Sequence, residues 1–293
     1  MTSRLLENRT AIITGANQGL GQAIARSFVI AGASTILCAR DKSRLAQVKS
    51  ELEDLAYPAQ RVIVAPCDVS NAAEVNQLVN TALEQFPQIH ILVNNAGIYG
   101  PKGPIEDVNW EEWTQAISVN MFGSVLFTRA LIPQFKRHGY GKVIQLSGGG
   151  ATKPLPFLSA YAASKAAIVR FAETLAEEVR NDHIDVNCIA PGMLNTQMLD
   201  EIIEAGPKRV GEAYYELAMQ QKNEGGVPLE RGANLAVYLA SAESDGLTGK
   251  LISAVWDPWE TLNDHLSDLQ RTDVYTLRRI VPHDRDLGWG NRE

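Results

Sequence analysis

The sequence predicts an α/β protein: one doubly wound domain on a seven-stranded parallel sheet, helices on both faces, followed by a C-terminal extension. Three observations lead there. Over the first 190 residues short β-branched runs alternate with longer amphipathic ones, as in repeated strand–helix–strand units. A glycine-rich turn sits between the first strand and the first helix. No internal repeat or low-complexity linker divides the chain. A length of 293 residues, 45% hydrophobic and 21% charged, is ample for a core and excludes disordered, collagen-like and disulfide-stapled classes.

Residues 11–14 form the first strand run, and 20–31 carry apolar residues at helical spacing. A second strand at 34–38 precedes a helix opened by Asp41 as its N-cap. Strands at 61–65 and 89–93 flank a helix over 71–86. A long helix is predicted over 110–137, then a strand over 142–146, a helix over 159–180 and a strand over 184–188. Residues 195–223 read as a two-part helical lid broken at Gly206-Pro207, followed by a helix over 228–242 and a last strand over 250–255. The main domain therefore spans 1–255, lid included. The extension, 256–293, holds three of the five tryptophans, and Asp257-Pro258 starts a helix over 258–270. Leu262, Leu266 and Leu269 give that helix an apolar stripe, which calls for packing on the core or on a neighbouring subunit.

Lys+Arg 27 against Asp+Glu 34 gives a net charge of −7 without a long basic run, so neither nucleic acid nor an anionic membrane is expected as partner. Cys38, Cys67 and Cys188 lie in apolar stretches and read as buried thiols of a reducing compartment. The first eight residues lack the apolar run of a signal peptide, and no run of about 18 apolar residues occurs. A cytoplasmic location is expected. The five histidines are scattered without ligand spacing, so no metal site is expected.

The turn Thr14-Gly15-Ala16-Asn17-Gln18-Gly19-Leu20-Gly21 allows close backbone approach to a pyrophosphate, which the free N–H groups of the following helix would bind. Tyr161 and Lys165, four residues apart, share one helix face. A cation there would favour the phenolate and bring the tyrosine towards an acid–base range, although a core tyrosine and a surface lysine produce the same spacing.

With these motifs the chain resembles the short-chain dehydrogenase/reductase family over roughly residues 8–255. The turn matches TGxxxGxG, Asn94-Asn95-Ala96-Gly97 matches NNAG, Tyr161 and Lys165 match YxxxK, and Pro191-Gly192 matches the PG turn after the sixth strand. Asn120 fits the catalytic asparagine. The resemblance implies a Rossmann-like fold and hydride transfer between a nicotinamide and a carbonyl or alcohol substrate. Tyr161 would be general acid/base, Lys165 would hold the nicotinamide ribose and Asn120 a relay water. Gly15, Asn17, Gln18, Gly19, Leu20, Gly21, Asn95, Ala96 and Gly97 would line the cofactor. Asp68 and Val69 would lie at the adenine, and Pro191, Gly192 and Thr196 at the nicotinamide. Homodimers or homotetramers are common in that family.

Two positions depart from the simplest pattern. The family serine falls, counted from either Asn120 or Tyr161, on Gly148 instead of Ser147. Such a one-residue shift turns a strand side chain to the other face. Gly148-Gly149-Gly150 could bend the chain back and let Ser147 hold the substrate oxygen; otherwise Ser147 serves only local backbone. Ser159 reads as a helix cap. At the end of the second strand, the acidic residue that would bind the NAD ribose is Ala39, followed by Arg40. Arg40 could fork onto a 2′-phosphate, favouring NADP with NAD possible; the alternative is a solvated surface arginine. An epimerase or dehydratase working through a transient ketone, or a nucleotide-sensing binding protein impaired by the displaced serine, would carry the same motifs.

Overall fold

Strands β1 (Thr10–Thr14), β2 (Ser34–Ala39), β3 (Val62–Pro66), β4 (Ile91–Asn94), β5 (Gly141–Leu146), β6 (Ile184–Ala190) and β7 (Leu251–Ser253) form one sheet in a computed structural model that describes residues 4–289. Its order is β3-β2-β1-β4-β5-β6-β7, and every neighbouring pair is parallel. The chain winds outward from β1 to β3, then returns to start the other half at β4. The switch point thus lies between β1 and β4.

Residue by residue, the strands point alternately to opposite faces. Ile13, Leu37, Val93 and Ile144 pack under α1 (Gly19–Ile30), α2 (Lys42–Glu53) and a later helix. Ile12, Ile36, Leu92 and Val143 pack under α3 (Ala72–Gln85) and two later helices. Asp41 accepts from the Arg44 N–H at 3.0 Å and caps α2; Asn71 caps α3 through the N–H groups of Ala73 and Glu74.

The expected helix over 110–137 is one continuous run, Trp110–His138. Its parts are α4 (Trp110–Ile117), a π turn over Ser118–Phe122, and α5 (Gly123–His138). Bare Gly123 lets the run close onto the β3–α3 connection, since a Cβ there would lie 2.9 Å from Val69 Cγ2. By length and composition the run could cross a membrane, but Phe127, Leu131 and Phe135 are sealed against the sheet. Next comes α6 (Ser159–Glu178), which shares that face.

The segment expected as a two-part lid forms three helices: α7 (Gln197–Ala205), α8 (Pro207–Val210) and α9 (Glu212–Glu224). Gly206-Pro207 makes the first break and Gly211, at φ 82°, the second. Phe157 packs there so closely that a Cβ on Gly211 would lie 3.0 Å from its ring. Helix α10 (Leu229–Ala240) completes the α1–α2 face.

The segment predicted as one helix over 258–270 starts as a 3-10 turn, Trp259–His265, and becomes α-helical only in α11 (Leu266–Arg271). Trp259, Leu262 and Leu269 are buried in the same core as α10, the Trp259 ring 6.0 Å from that of Tyr238. The chain then runs beside β7. Leu251 N–H donates to the Tyr275 carbonyl at 2.8 Å, and Lys250 Nζ to the carbonyls of Thr272 and Val274 at 3.0 and 2.9 Å. Leu277 N–H donates to the Glu173 carboxylate at 2.6 Å. Residues 290–293 of the expected extension, like 1–3, lie outside the described residues.

Candidate active site

The loops that follow β1, β4, β5 and β6 meet at the carboxyl edge of the sheet. Thr14, the last residue of β1, ties two of them. Its hydroxyl accepts from the N–H groups of Asn95 and Ala96, both at 3.0 Å. In return the Asn95 amide donates to the carbonyls of Thr14 and Gly15 at 2.9 and 3.1 Å. The glycines are required by this closeness. A Cβ on Gly21 would lie 2.2 Å from the Gly15 carbonyl oxygen, and Gly15 takes φ 64° with Ala96 Cα at 2.9 Å from its would-be Cβ. Gln18 precedes α1 without a side-chain cap, leaving the first helical N–H groups of Gly19 to Gly21 facing the turn.

Across the cleft, the π turn carries Asn120. Its Oδ1 accepts from Ile98 N–H at 2.8 Å, and its Nδ2 donates to the Ile98 carbonyl and to Ser164 Oγ, each at 2.9 Å. This amide locks the loop after Gly97 to α6, where Tyr161 and Lys165 sit. Lys165 is buried and its Nζ donates to the Leu146 carbonyl at 2.7 Å. A Cβ on Gly97 would lie 3.3 Å from Asn120 Oδ1 and 3.4 Å from Lys165 Nζ, so bare Gly97 floors the cleft between them.

The electrostatics differ from the sequence expectation. Burial pushes the Tyr161 phenol up from its ordinary range, and neighbouring Tyr214 adds to the rise. Burial lowers Lys165 to about 8. The ammonium lies 5.6 Å from the Tyr161 ring and is directed to a β5 carbonyl, so desolvation outweighs any pull towards phenolate.

Ser147 does not turn back towards the phenol. Its N–H stays in register with the Ile189 carbonyl at 2.8 Å, and Gly148 continues extended at φ 179°. The pleat therefore directs the Ser147 hydroxyl to the Lys165 carbonyl at 3.4 Å. Gly148 faces the phenol, and a Cβ on it would lie 2.8 Å from the Tyr161 hydroxyl. Ser159 accepts from Trp113 Nε1 at 3.1 Å instead of capping α6.

Arg40 is exposed at the end of β2. Asp68 accepts from Ser70 N–H and Oγ at 2.9 and 2.7 Å. Burial would raise its carboxyl, but the Ser70 hydrogen bonds and the Arg40 charge outweigh this and hold it below the ordinary value. Val69 is buried against Gly123. Arg44, in the first turn of α2, reaches across to the Gln18 side chain; sequence reading passed over it. Gly192 takes φ 88° beside Val255, and Thr196 lies 3.4 Å from where a Gly19 Cβ would stand. The aromatic cover of Tyr161 was also passed over. The Tyr99 ring is 4.7 Å from it, and Tyr214 of α9 packs into the same cluster.

Residues 9–206 match the short chain dehydrogenase family profile. The chain belongs to that family. A short-chain type dehydrogenase/reductase of Picea abies is 32% identical over 262 residues, covering 84% of this chain and 91% of the relative. The D-beta-hydroxybutyrate dehydrogenase of Rhizobium meliloti is 32% identical, covering 84% and 96%. Among solved structures, the 3-ketoacyl-(acyl-carrier-protein) reductase of Brucella melitensis complexed with NADH superposes with a TM-score of 0.74 at 30% identity, over 85% of this chain and 97% of that one. As a short-chain dehydrogenase the protein is an oxidoreductase, and its sheet, helices and glycine turn are those of the Rossmann-like architecture.

Proposed function

We propose that this short-chain dehydrogenase moves hydride between NADP(H) and a carbonyl/alcohol pair, with Tyr161 as general acid/base. One observation carries the reading: Lys165 and Asn120 meet around Gly97, with the Tyr161 ring 5.6 Å from the Lys165 ammonium, on the sheet edge that the glycine turn also borders. The cradle fits a dinucleotide, because the contacts at Gly15 and Gly21 leave no room for a side chain and the α1 N–H groups are uncapped. When bound, the nicotinamide supplies or accepts the hydride. Burial keeps the Tyr161 proton in place, ready for transfer to the oxygen of a carbonyl as its carbon is reduced. In this reading Lys165 would hold ribose hydroxyls and stabilise the phenolate left behind, and Asn120 would hold the water that returns the proton. Ser147, directed to the Lys165 carbonyl, has no role in this reading; Gly148 presents no hydroxyl.

Arg40 and Arg44, beside a neutral Ala39, favour the 2′-phosphate of NADP(H) over NAD(H). Asp68 and Val69 would meet the adenine, and Pro191, Gly192 and Thr196 the nicotinamide. Residues 1–255 would be the catalytic domain with 195–223 as lid, and 256–293 an extension packed on its core. The most apolar part of the Trp110–His138 helix is only 44% buried, and Phe122 on it is 51% exposed, which supports association with further copies of the chain. Three buried free cysteines suit a reducing, cytoplasmic compartment.

The test is Tyr161→Phe. Turnover of NADPH with a carbonyl panel should fall to a few per cent or less while NADPH affinity is kept, because only the proton donor goes. A variant keeping a third of wild-type activity ends the assignment. Substrate conversion without net cofactor turnover would instead establish an epimerase or dehydratase.

A further inference from the structure

The residues over Tyr161 form a third apolar cluster, separate from the two cores of the sheet. Its centre, including Leu158, Leu199 and Ile202, is at most 3% exposed. Tyr99 and Tyr214 pack against it together with Tyr161 itself. Charge is absent from this cover in a specific way. Every Asp, Glu, Lys and Arg of α7–α9 is exposed except Asp200 and Glu201. Asp200 is paired to Lys222 at 2.6 Å and Glu201 to Lys102 at 3.4 Å. The Lys102 side chain is 14% exposed, and its ammonium lies 5.5 Å over the Tyr99 ring.

We infer that the substrate of Tyr161 is a neutral, predominantly apolar ketone or secondary alcohol, and that Tyr99 and Tyr214 set this preference; the inference rests on the oxidoreductase reading above. A substrate reaches the phenol only by replacing contacts that the lid now makes. An apolar ring or chain restores buried apolar area on both sides. A sugar or polyol would leave hydroxyl groups without partners among Leu, Ile and tyrosine faces. Of the two ammonium groups beside these rings, Lys165 is committed to the Leu146 carbonyl, and a carboxylate that took Lys102 would leave half-buried Glu201 unpaired. Tyrosine rings add flat walls with a single polar tip, a match for a cyclic or aromatic ketone carrying one oxygen.

The experiment follows NADPH oxidation by the full chain with 2-tetralone, acetoacetate and erythrulose. The expected kcat/KM for 2-tetralone is at least about 100-fold above the other two. Tyr214→Ala and Tyr99→Ala should each lower that ratio about tenfold with NADPH affinity unchanged, and Lys102→Met should leave 2-tetralone turnover within about twofold. Preference for acetoacetate or erythrulose overturns the inference and leaves the oxidoreductase reading standing. A ratio unmoved in both tyrosine variants overturns their assignment. Turnover of none of the three, with NADPH bound, overturns the inference, and the Tyr161→Phe test decides the oxidoreductase reading separately.

Discussion

Replacing Lys165 by methionine should end turnover and yet make the ligand-free fold at least as stable at neutral pH. The lysine is buried, and desolvation brings its ammonium from an ordinary 10.5 to about 8. That gap corresponds to about 3 kcal/mol against the charged form. The folded state therefore binds the proton less readily than the unfolded chain does. The penalty is complete below pH 8 and fades as pH climbs from 8 to 10.5, reaching about 1 kcal/mol at pH 10. Methionine keeps the apolar stem and removes the charge. It also strips the Leu146 carbonyl of its 2.7 Å donor, a loss of about 1–3 kcal/mol at any pH. The net result at pH 7 ranges from parity to a gain of about 2 kcal/mol, and at pH 10 from parity to a loss of about 2 kcal/mol. Urea unfolding followed by circular dichroism, without nucleotide, measures both proteins at both pH values. The difference between them should move about 2 kcal/mol in favour of wild type from pH 7 to pH 10. A difference that is the same at both pH values would refute the reasoning, because only the buried charge is pH-dependent.

Arg40→Ala and Arg44→Ala should each weaken NADPH binding by about 1–3 kcal/mol and leave NADH nearly unaffected, measured by fluorescence titration; equal losses for both nucleotides exclude a phosphate role. Leu262→Ala, at a side chain 3% exposed in the α10 core, should destabilise by about 2–5 kcal/mol and lower the Tm in calorimetry by several degrees. An unchanged Tm would mean that the extension adds nothing to the fold.

The strands and most helices were legible because their signals are local. Alternating apolar runs fixed the sheet, and Asp41 announced a helix start as its cap. The cradle was legible too, since Gly15, Gly21 and Asn95 are fixed by contacts their own motif implies. What escaped was set by partners distant in sequence. The helix run that carries Asn120 closes on Val69 at Gly123, and the chain breaks again at Gly211, where Phe157 packs beside it. The direction of Ser147 stayed open in the sequence since three glycines permit a bend, whereas pairing with β6 keeps the chain extended. The direction of the Tyr161 shift was missed for a similar reason. Four-residue spacing shows that lysine is near, but not that a β5 carbonyl holds it and that burial raises the phenol.

The run of chain beside β7 also governs what happens when the protein is damaged. A parallel sheet of this kind has two outer strands, each a row of backbone donors and acceptors open to a stranger's chain. On one side β3 ends in Pro66, which has no N–H to offer. On the other, Tyr275 takes the Leu251 N–H while Lys250 gathers the carbonyls of Thr272 and Val274. Loss of that strap, by proteolysis or by a weakened anchor at Leu262, would bare a sheet margin while the rest of the domain stays folded. Aggregation would then begin from a nearly native protein, at temperatures below its cooperative melting, and its rate would follow how often the strap lifts.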